Sequence, residues 1–181
     1  MRNELKRLTA QSDVTALMAS LEAEDVLAQA IRVQQIPAPT FHEHERANYI
    51  LSQLGGRNLA DVGTDALCNV YARLPGTDPG RPALLVSAHT DTVFAHDTDL
   101  TVTDQDGRVY GPGISDNSLG VAAMLALLAA MEHARYQPPC DVWFVANSRE
   151  EGLGDLGGMR AVLKRLQGRL GAALVIEGLG L

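Results

Sequence analysis

The stretch VWFVANSREEGLG, residues 142–154, joins a continuous apolar run to two adjacent carboxylates, Glu150 and Glu151. A run that is apolar at consecutive positions is typical of a strand that is buried on both faces of its sheet. Two further runs have this form, ALLVSA at 83–88 and AALVI at 172–176. Because segments with helical spacing alternate with these strands, the sequence predicts an α/β fold. We expect a central sheet, mostly parallel or mixed, with helices on both faces.

The remaining segments fill in this architecture. Thr40 and Glu43 have the spacing of a capping box, which predicts a helix that runs through Leu54 and ends at Gly55-Gly56. The other predicted elements are helices near 3–35, 117–134 and 155–170, strands at 67–74 and 141–147, and a hairpin of 100–103 with 108–110. No closing helix follows the last apolar strand, so we expect the 181 residues to form an incomplete domain.

Charge and apolar content exclude several classes of partner. The net charge is −7 and no cluster of Lys and Arg occurs, which argues against nucleic acid and anionic membranes as partners. The longest apolar stretch, Leu119–Met131, is shorter than the ~18 residues of a membrane span and predicts a buried helix. Because the N-terminus lacks the apolar core of a signal peptide, we expect a cytoplasmic protein. Cys68 and Cys140 are too few for a disulfide framework, and we expect both to be buried.

Side chains that can bind a metal follow each of the three most apolar strands. They are His89 and Asp91 after the first, Glu150 and Glu151 after the second and Glu177 after the third, with Asp116 ahead of the apolar helix. The carboxyl ends of strands are where open α/β sheets bind their ligands. Since crowded carboxylates repel each other, a multivalent cation beside them would offset their repulsion. Histidine and carboxylates without thiolates indicate Zn²⁺, with Mn²⁺ or Co²⁺ also possible.

Each of these residues, taken alone, has a simpler interpretation. Asp116 could cap the helix that follows it, and Glu150 and Glu151 could be a solvated pair in a loop. His89 could be a hydrogen-bonded core histidine with Asp91 as its partner. We favour the metal interpretation because all of these side chains are expected at one edge of one sheet.

The two adjacent glutamates should not have the same role. Neighbouring side chains of extended backbone point to opposite sides, so one of Glu150 and Glu151 can bind metal while the other faces the metal-activated water. A carboxylate in that place is suited to act as a general base. Asp91, two residues after His89, would accept the other ring N–H and orient the imidazole.

Several motifs in one order resemble a known family. They are SAHTDTV (87–93), YGPGISDNSLGVAAML (110–125), NSREEGLGDLGGMR (147–160) and VIEG (175–178), preceded by IPAPTFHEHERA (36–47). Together they resemble the M20 metallopeptidases and, more loosely, the M28 aminopeptidases. The resemblance implies a zinc-dependent exopeptidase-like fold.

The resemblance also implies a pair of zinc ions with an assigned role for each residue. His89, Asp116 and Glu177 would bind one ion, Asp116 and Glu151 the other, Glu150 would be the general base and Asp91 would orient His89. A cis peptide bond would join Asp116 to Asn117. Around a single dication this excess of acids predicts a raised pKa for at least one of them.

Members of this family are longer than this chain. They have an inserted lid and dimerisation domain, through which they often form homodimers, and a final segment that supplies a further histidine to the second metal. We therefore expect residues 1–181 to be a partial catalytic domain that is inactive alone. The other histidines, His42, His44, His96 and His133, are expected at the surface.

The function that the resemblance implies is hydrolysis of an amide bond in small peptides or N-acyl amino acids. A metal-activated water would be the nucleophile and Glu150 the general base. Glu at position 177 favours the carboxypeptidase and deacylase members. The alternatives are a truncated metal-binding fragment without turnover, an M28-type aminopeptidase, and an α/β small-molecule binding domain whose acids are solvated.

Overall fold

The structure, a computed structural model, describes residues 6–7 and 9–178 of the 181-residue chain. The elements in chain order are α1 (Ser12–Ala19), α2 (Ala23–Gln34), α3 (His44–Leu54), β1 (Ala60–Thr64), β2 (Val70–Leu74), β3 (Ala83–His89), β4 (Thr103–Gln105), β5 (Arg108–Tyr110), α4 (Leu119–His133), β6 (Val142–Asn147), α5 (Gly157–Arg165) and β7 (Leu170–Val175). Short helical turns at Ile114–Ser118 and Gly152–Gly154 precede α4 and α5.

Five strands form one mixed sheet in the order β1-β2-β6-β3-β7. Strands β4 and β5 form a hairpin at the predicted place, but its first strand is Thr103–Gln105 instead of 100–103. Strand β3 is parallel to both β6 and β7, whereas β2 is antiparallel to β1 and β6. Every residue of β6 is buried, as its continuous apolar run predicts. Because β3, β6 and β7 run in the same direction, the loops that follow them lie at one edge of the sheet.

Helices cover both faces of the sheet, which confirms the predicted fold class. Alternate residues of β3 and β6, such as Val86 and Phe144, pack with α2, α3 and α4 in one core cluster. The residues between them pack on the opposite face. There Leu85 and Trp143 belong to a second core cluster, which also contains Val162 of α5. Burying each such side chain contributes about 1.5–3 kcal/mol, so the two clusters fix the sheet between its helices.

Helix α4 is the predicted buried helix. Its residues are apolar on nearly all sides, and it packs against α2 and β3. By length and composition alone the segment Ile114–His133 would also suffice to cross a membrane, yet 56% of its most apolar window is buried inside the protein. That burial is typical of a core helix.

The predicted capping box at the start of α3 does not form. Neither Thr40 nor Glu43 binds the first amides of the helix. The Thr40 hydroxyl instead donates to Asp91 Oδ2, and the Glu43 carboxylate accepts the amides of Phe41 and Arg149. The prediction was wrong because both side chains bind loops that are distant in sequence and meet this segment only in the folded chain.

Other boundaries differ for local reasons. The helix predicted near 3–35 is interrupted between α1 and α2, and residues 3–5 and 8 of it lie outside the described residues. The strand predicted at 67–74 begins only at Val70, because the Asp65 carboxylate holds the amides of Leu67 and Asn69 in a turn. The helix predicted at 155–170 ends at Arg165, since β7 already begins at Leu170.

Two further expectations need correction. Strand β1 was not predicted, because its sequence ADVGT contains residues that are rare in strands. None of its residues is fully buried, so no apolar pattern marks it. The two cysteines, Cys68 and Cys140, are free, as expected, but both are partly exposed instead of buried.

Candidate metal centre

The carboxyl edge of the sheet brings the predicted site residues together. His89 is the last residue of β3, Glu150 and Glu151 follow β6, and Glu177 follows β7. The peptide bond between Asp116 and Asn117, in the turn ahead of α4, is cis, as the resemblance implied.

Two groups of potential ligand atoms share His89. In one, the Nε2 atom of His89 lies 2.9 Å from Oδ1 of Asp116 and 3.2 Å from Oε1 of Glu177. The other contains His89, Glu150 and Glu151, and in each group the ligand atoms lie within 4.8 Å of one another. The imidazole is 2% exposed, whereas the side chains of Asp116 and Glu177 are 52% and 47% exposed. The arrangement is therefore closed on the protein side and open toward solvent.

The chemistry of these side chains fits a divalent metal ion. In the part of the chain that the structure describes, the ion pairs of arginines are made with other acids, at Asp61, Asp78, Glu132, Asp141 and Asp155. The four carboxylates around His89 thus converge without a lysine or arginine partner among those pairs. A dication would offset their mutual repulsion, and imidazole with carboxylate oxygens is a donor set that zinc accepts.

The Asp91 carboxylate, expected to accept the other ring N–H of His89, is farther from the ring than the Asp91 backbone oxygen. The Nδ1 atom of His89 lies 3.1 Å from the backbone oxygen of Asp91 and 3.7 Å from its Oδ1, so the carbonyl is the closer acceptor. The fully buried Asp91 carboxylate accepts the backbone N–H of Glu150 at 2.8 Å and of Glu151 at 3.0 Å. The Thr40 hydroxyl donates to it at 2.9 Å. Asp91 therefore joins the loop after β3 to the loop after β6.

Burial and crowding shift the pKa values of these groups. Burial alone lowers the pKa of His89, but the carboxylates of Asp91, Glu177 and Glu150 outweigh it and raise the pKa to about 9. Burial also opposes ionisation of Asp91, yet its hydrogen bonds and the neighbouring His89 hold its pKa below the usual range. The pKa values of Glu150 and Glu151 are raised, first by burial and then by repulsion from neighbouring acids.

Two glycines allow the end of β7 to approach the turn that carries Asp116. A Cβ atom on Gly178 would lie 2.1 Å from the backbone oxygen of Ser115, and one on Gly120 would lie 2.0 Å from Oδ1 of Asn117. The Nδ2 atom of Asn117 donates to the carbonyl of Ile176 at 2.8 Å. Sequence reasoning missed these contacts, because a glycine shows its need for a close approach only in the folded chain.

A buried arginine lies beneath the site and was also missed. Arg46 is 2% exposed, and its guanidinium donates to the carbonyl of Ile36 at 2.9 Å and of Thr90 at 2.7 Å. Burial lowers its pKa to about 10, although the Asp91 carboxylate opposes this shift. The sequence did contain a signal for this buried arginine, because Arg46 is a charged residue beside Ala47 and Ile50 on the apolar stripe of α3. The histidines expected at the surface, His42, His44, His96 and His133, are all exposed.

The fold and the site define an α/β protein with a candidate metal site at the carboxyl edge of its sheet. Comparison with known families supports the same conclusion, because the profile of Peptidase family M20/M25/M40 matches residues 85–180, more than half of the chain. The chain belongs to this family.

Curated relatives include succinyl-diaminopimelate desuccinylases. That of Delftia acidovorans is 31% identical over 117 residues, which cover 60% of this chain and 30% of the relative. That of Rhodospirillum centenum is 34% identical over 126 residues, which cover 65% and 32%. The chain thus spans about a third of the length of these relatives.

Solved structures share the fold at lower identity. Aminopeptidase PepT from Bacillus cereus has a TM-score of 0.74 and 19% identity, over 89% of this chain and 45% of that one. YXEP from Bacillus subtilis, described as a dinuclear metal binding peptidase from the M20 family, has a TM-score of 0.58 and 19% identity, over 83% and 41%. At these identities the likeness establishes the fold.

Proposed function

We propose that this chain forms part of a catalytic domain that hydrolyses amide bonds with a pair of zinc ions. The observation that carries the proposal is the convergence of five side chains in two groups that share His89, each with its ligand atoms within 4.8 Å. Membership of the M20/M25/M40 family supports it, as does the fold shared with a dinuclear metal binding peptidase.

In this proposal His89, Asp116 and Glu177 would hold the first ion, and Asp116 and Glu151 would hold the second. Because Glu150 and Glu151 both lie close to His89, the distances alone would let either be the ligand. We assign Glu151 as the ligand and Glu150 as the base from the family resemblance. When bound, zinc would supply a nucleophilic water by lowering its pKa toward ~7.

Glu150 is the residue to which we assign the role of general base. Burial and the neighbouring acids raise its pKa, as they raise that of Glu151, so the choice between the two rests on the family resemblance. It would take a proton from the attacking water and return it to the leaving amine. Its backbone N–H is bound to Oδ1 of Asp91, which holds this residue beside the site.

The proposed substrate is an N-acyl amino acid or a small peptide. Both have an amide bond whose cleavage releases an amine and a carboxylate. The curated relatives that carry the name succinyl-diaminopimelate desuccinylase favour an N-acyl amino acid, specifically an N-succinyl one. A glutamate at position 177 is consistent with this preference.

Glu150→Gln tests the proposal in protein that contains this segment and turns over substrate. The amide keeps the size of the side chain but accepts no proton as a base, so we expect a 10²–10⁴-fold loss of rate. Zinc content, measured by elemental analysis, should stay unchanged. The exposed Glu45→Gln serves as the control and should be fully active. Full activity of Glu150→Gln with loss in Glu151→Gln would reverse the two roles, and absence of zinc from the wild type would refute the proposal.

A further inference from the structure

We infer that Glu43 is a positioning residue of this site, whose buried carboxylate fixes the turn that presents Glu150 and Glu151. The roles of Glu150 and Glu151 in this inference rest on the proposed function, whereas the contacts of Glu43 stand on the structure alone.

Glu43 is a buried acid, and one of its two hydrogen bonds joins it to a residue that is distant in sequence. It is 1% exposed, and its Oε1 atom accepts the backbone N–H of Phe41 and that of Arg149, each at 3.0 Å. Arg149 is 106 residues further along the chain. Removing a carboxylate from water is costly, so a carboxylate persists there only where its hydrogen bonds compensate. Because the side chain does not cap α3, capping does not explain it.

The residue that Glu43 holds has an uncommon backbone conformation. Arg149 has a φ of 52°, in the left-handed region that residues other than glycine seldom adopt. Such a conformation persists when surrounding contacts determine it. The bond from the Arg149 amide to Glu43 is one such contact, and the guanidinium of Arg149, 5.3 Å from the centre of the Phe41 ring, is another.

The two amides after Arg149 are bound by a second carboxylate. Glu150 donates to Oδ1 of Asp91 at 2.8 Å, and Glu151 donates to Oδ2 at 3.0 Å. Two buried carboxylates thus hold three consecutive amides. Since the backbone direction at these residues determines where their side chains point, Glu43 and Asp91 together orient the two glutamates.

The segment around Glu43 also contacts the loop that follows His89. The hydroxyl of Thr40 donates to Asp91, the amide of Thr40 donates to the carbonyl of Thr92 at 3.3 Å, and the amide of Thr92 donates to the carbonyl of Ala38 at 2.9 Å. Residues 38–43 therefore bridge both loops. Glu43 provides the hydrogen bond to the loop that carries Glu150 and Glu151, by accepting the amide of Arg149.

Loss of the Glu43 carboxylate should affect one part of the site. Without its acceptor, the Arg149 amide would be buried and unpaired or the turn would relax, and Glu150 and Glu151 would move with it. His89, Asp116 and Glu177 belong to other loops and should keep their places. A residue that only stabilises the fold would have no such local effect.

Hydrogen exchange measured by NMR on the metal-free chain tests this directly. In Glu43→Leu we expect the amides of Arg149, Glu150 and Glu151 to exchange roughly tenfold faster or more, since a bond to a charged acceptor is lost. Glu43→Gln keeps an acceptor oxygen and should largely restore protection. Leu166→Ala, in the core cluster on the α5 face, is the matched control for general destabilisation and should not affect these amides selectively.

A second variant covers the case in which Glu43→Leu fails to fold. Glu43→Asp keeps the charge but withdraws the carboxylate by one methylene group, and it should speed exchange at Arg149 in particular. Unchanged protection of residues 149–151 in the folded variants, or faster exchange spread evenly over β3 and β6, would overturn the inference.

Metal titration supplies an independent readout. Glu43→Leu should weaken the second equivalent of zinc about tenfold and the first by no more than about twofold. Equal weakening of both equivalents in Glu43→Leu would show a merely structural role and overturn the inference. If the wild type bound no zinc, the proposed function would fail, and the exchange experiment would still decide the role of Glu43.

Discussion

Two aspartates, Asp91 and Asp65, hold loops of this protein by accepting several hydrogen bonds each. Asp91 binds the amides of Glu150 and Glu151 beside the proposed metal centre. Asp65 accepts four bonds in the turn before β2, from the amides of Leu67 and Asn69, the Asn69 side chain and the Tyr71 hydroxyl. Carboxylates do this well because an ionised acceptor forms stronger hydrogen bonds than a neutral one.

Asp65 makes stability depend on pH. Burial opposes its ionisation, but the four hydrogen bonds outweigh burial and lower its pKa below the usual value. A depressed pKa in the folded state stabilises the protein above the unfolded pKa of ~3.9, and this contribution is lost as pH falls through the folded value. Wild type should therefore exceed Asp65→Asn in unfolding free energy by roughly 1 kcal/mol at pH 7, a modest figure because Asp65 is partly exposed.

Urea unfolding of both proteins between pH 7 and pH 2.5 measures this difference. It should shrink below about pH 4. Asp78→Asn, in an exposed ion pair, is the control and should show little difference at any pH. A gap between wild type and Asp65→Asn that stayed constant to pH 2.5 would show that the charge of Asp65 does not contribute.

The backbone that follows β7 lies so close to the turn before α4 that a side chain at Gly178 would not fit between them. A Cβ atom on Gly178 would meet the backbone oxygen of Ser115, which cannot rotate away as a flexible side chain could. Gly178→Ala should therefore push Glu177 away from Asp116 and reduce zinc affinity, by about tenfold or more. Chelator competition measures the affinity. Gly63→Ala in β1, with no atom near its Cβ position, should leave it unchanged, and equal affinities in both variants would exclude this contact from the site.

The elements differ in how well the sequence predicts them. The three apolar strands and the acids that follow them were predictable, because continuous apolar runs specify strands and the carboxyl edge specifies where ligands bind. The burial expected for the third run was wrong, because β7 lies at the edge of the sheet and most of its residues are exposed. The hydrogen bonds of Thr40 and Glu43 were not predictable. The spacing of a capping box is the same whether its side chains bind the helix or another loop. Strand β1 was missed because an edge strand needs little apolar patterning.

Across the molecule, the face of the sheet opposite α4 has its own core. Leu166 at the end of α5 is fully buried there and packs with residues such as Tyr71 and Trp143. Leu166→Ala should cost about 2–5 kcal/mol of unfolding free energy in urea, because a cavity remains where the side chain was. Zinc affinity of the folded variant should stay within about twofold of wild type. A large loss of affinity would show that this core and the metal centre are coupled.

The central claim is that the carboxyl edge of this sheet binds zinc through His89, Asp116 and Glu177. Calorimetric titration of the metal-stripped chain with Zn²⁺ tests it most directly. We predict about one tightly bound zinc per chain, since the first ion has three proposed ligands, and a second only at high concentration, where just Asp116 and Glu151 are proposed. His89→Ala should abolish the tight site. No binding by wild type, or tight binding that survives His89→Ala, would contradict the account.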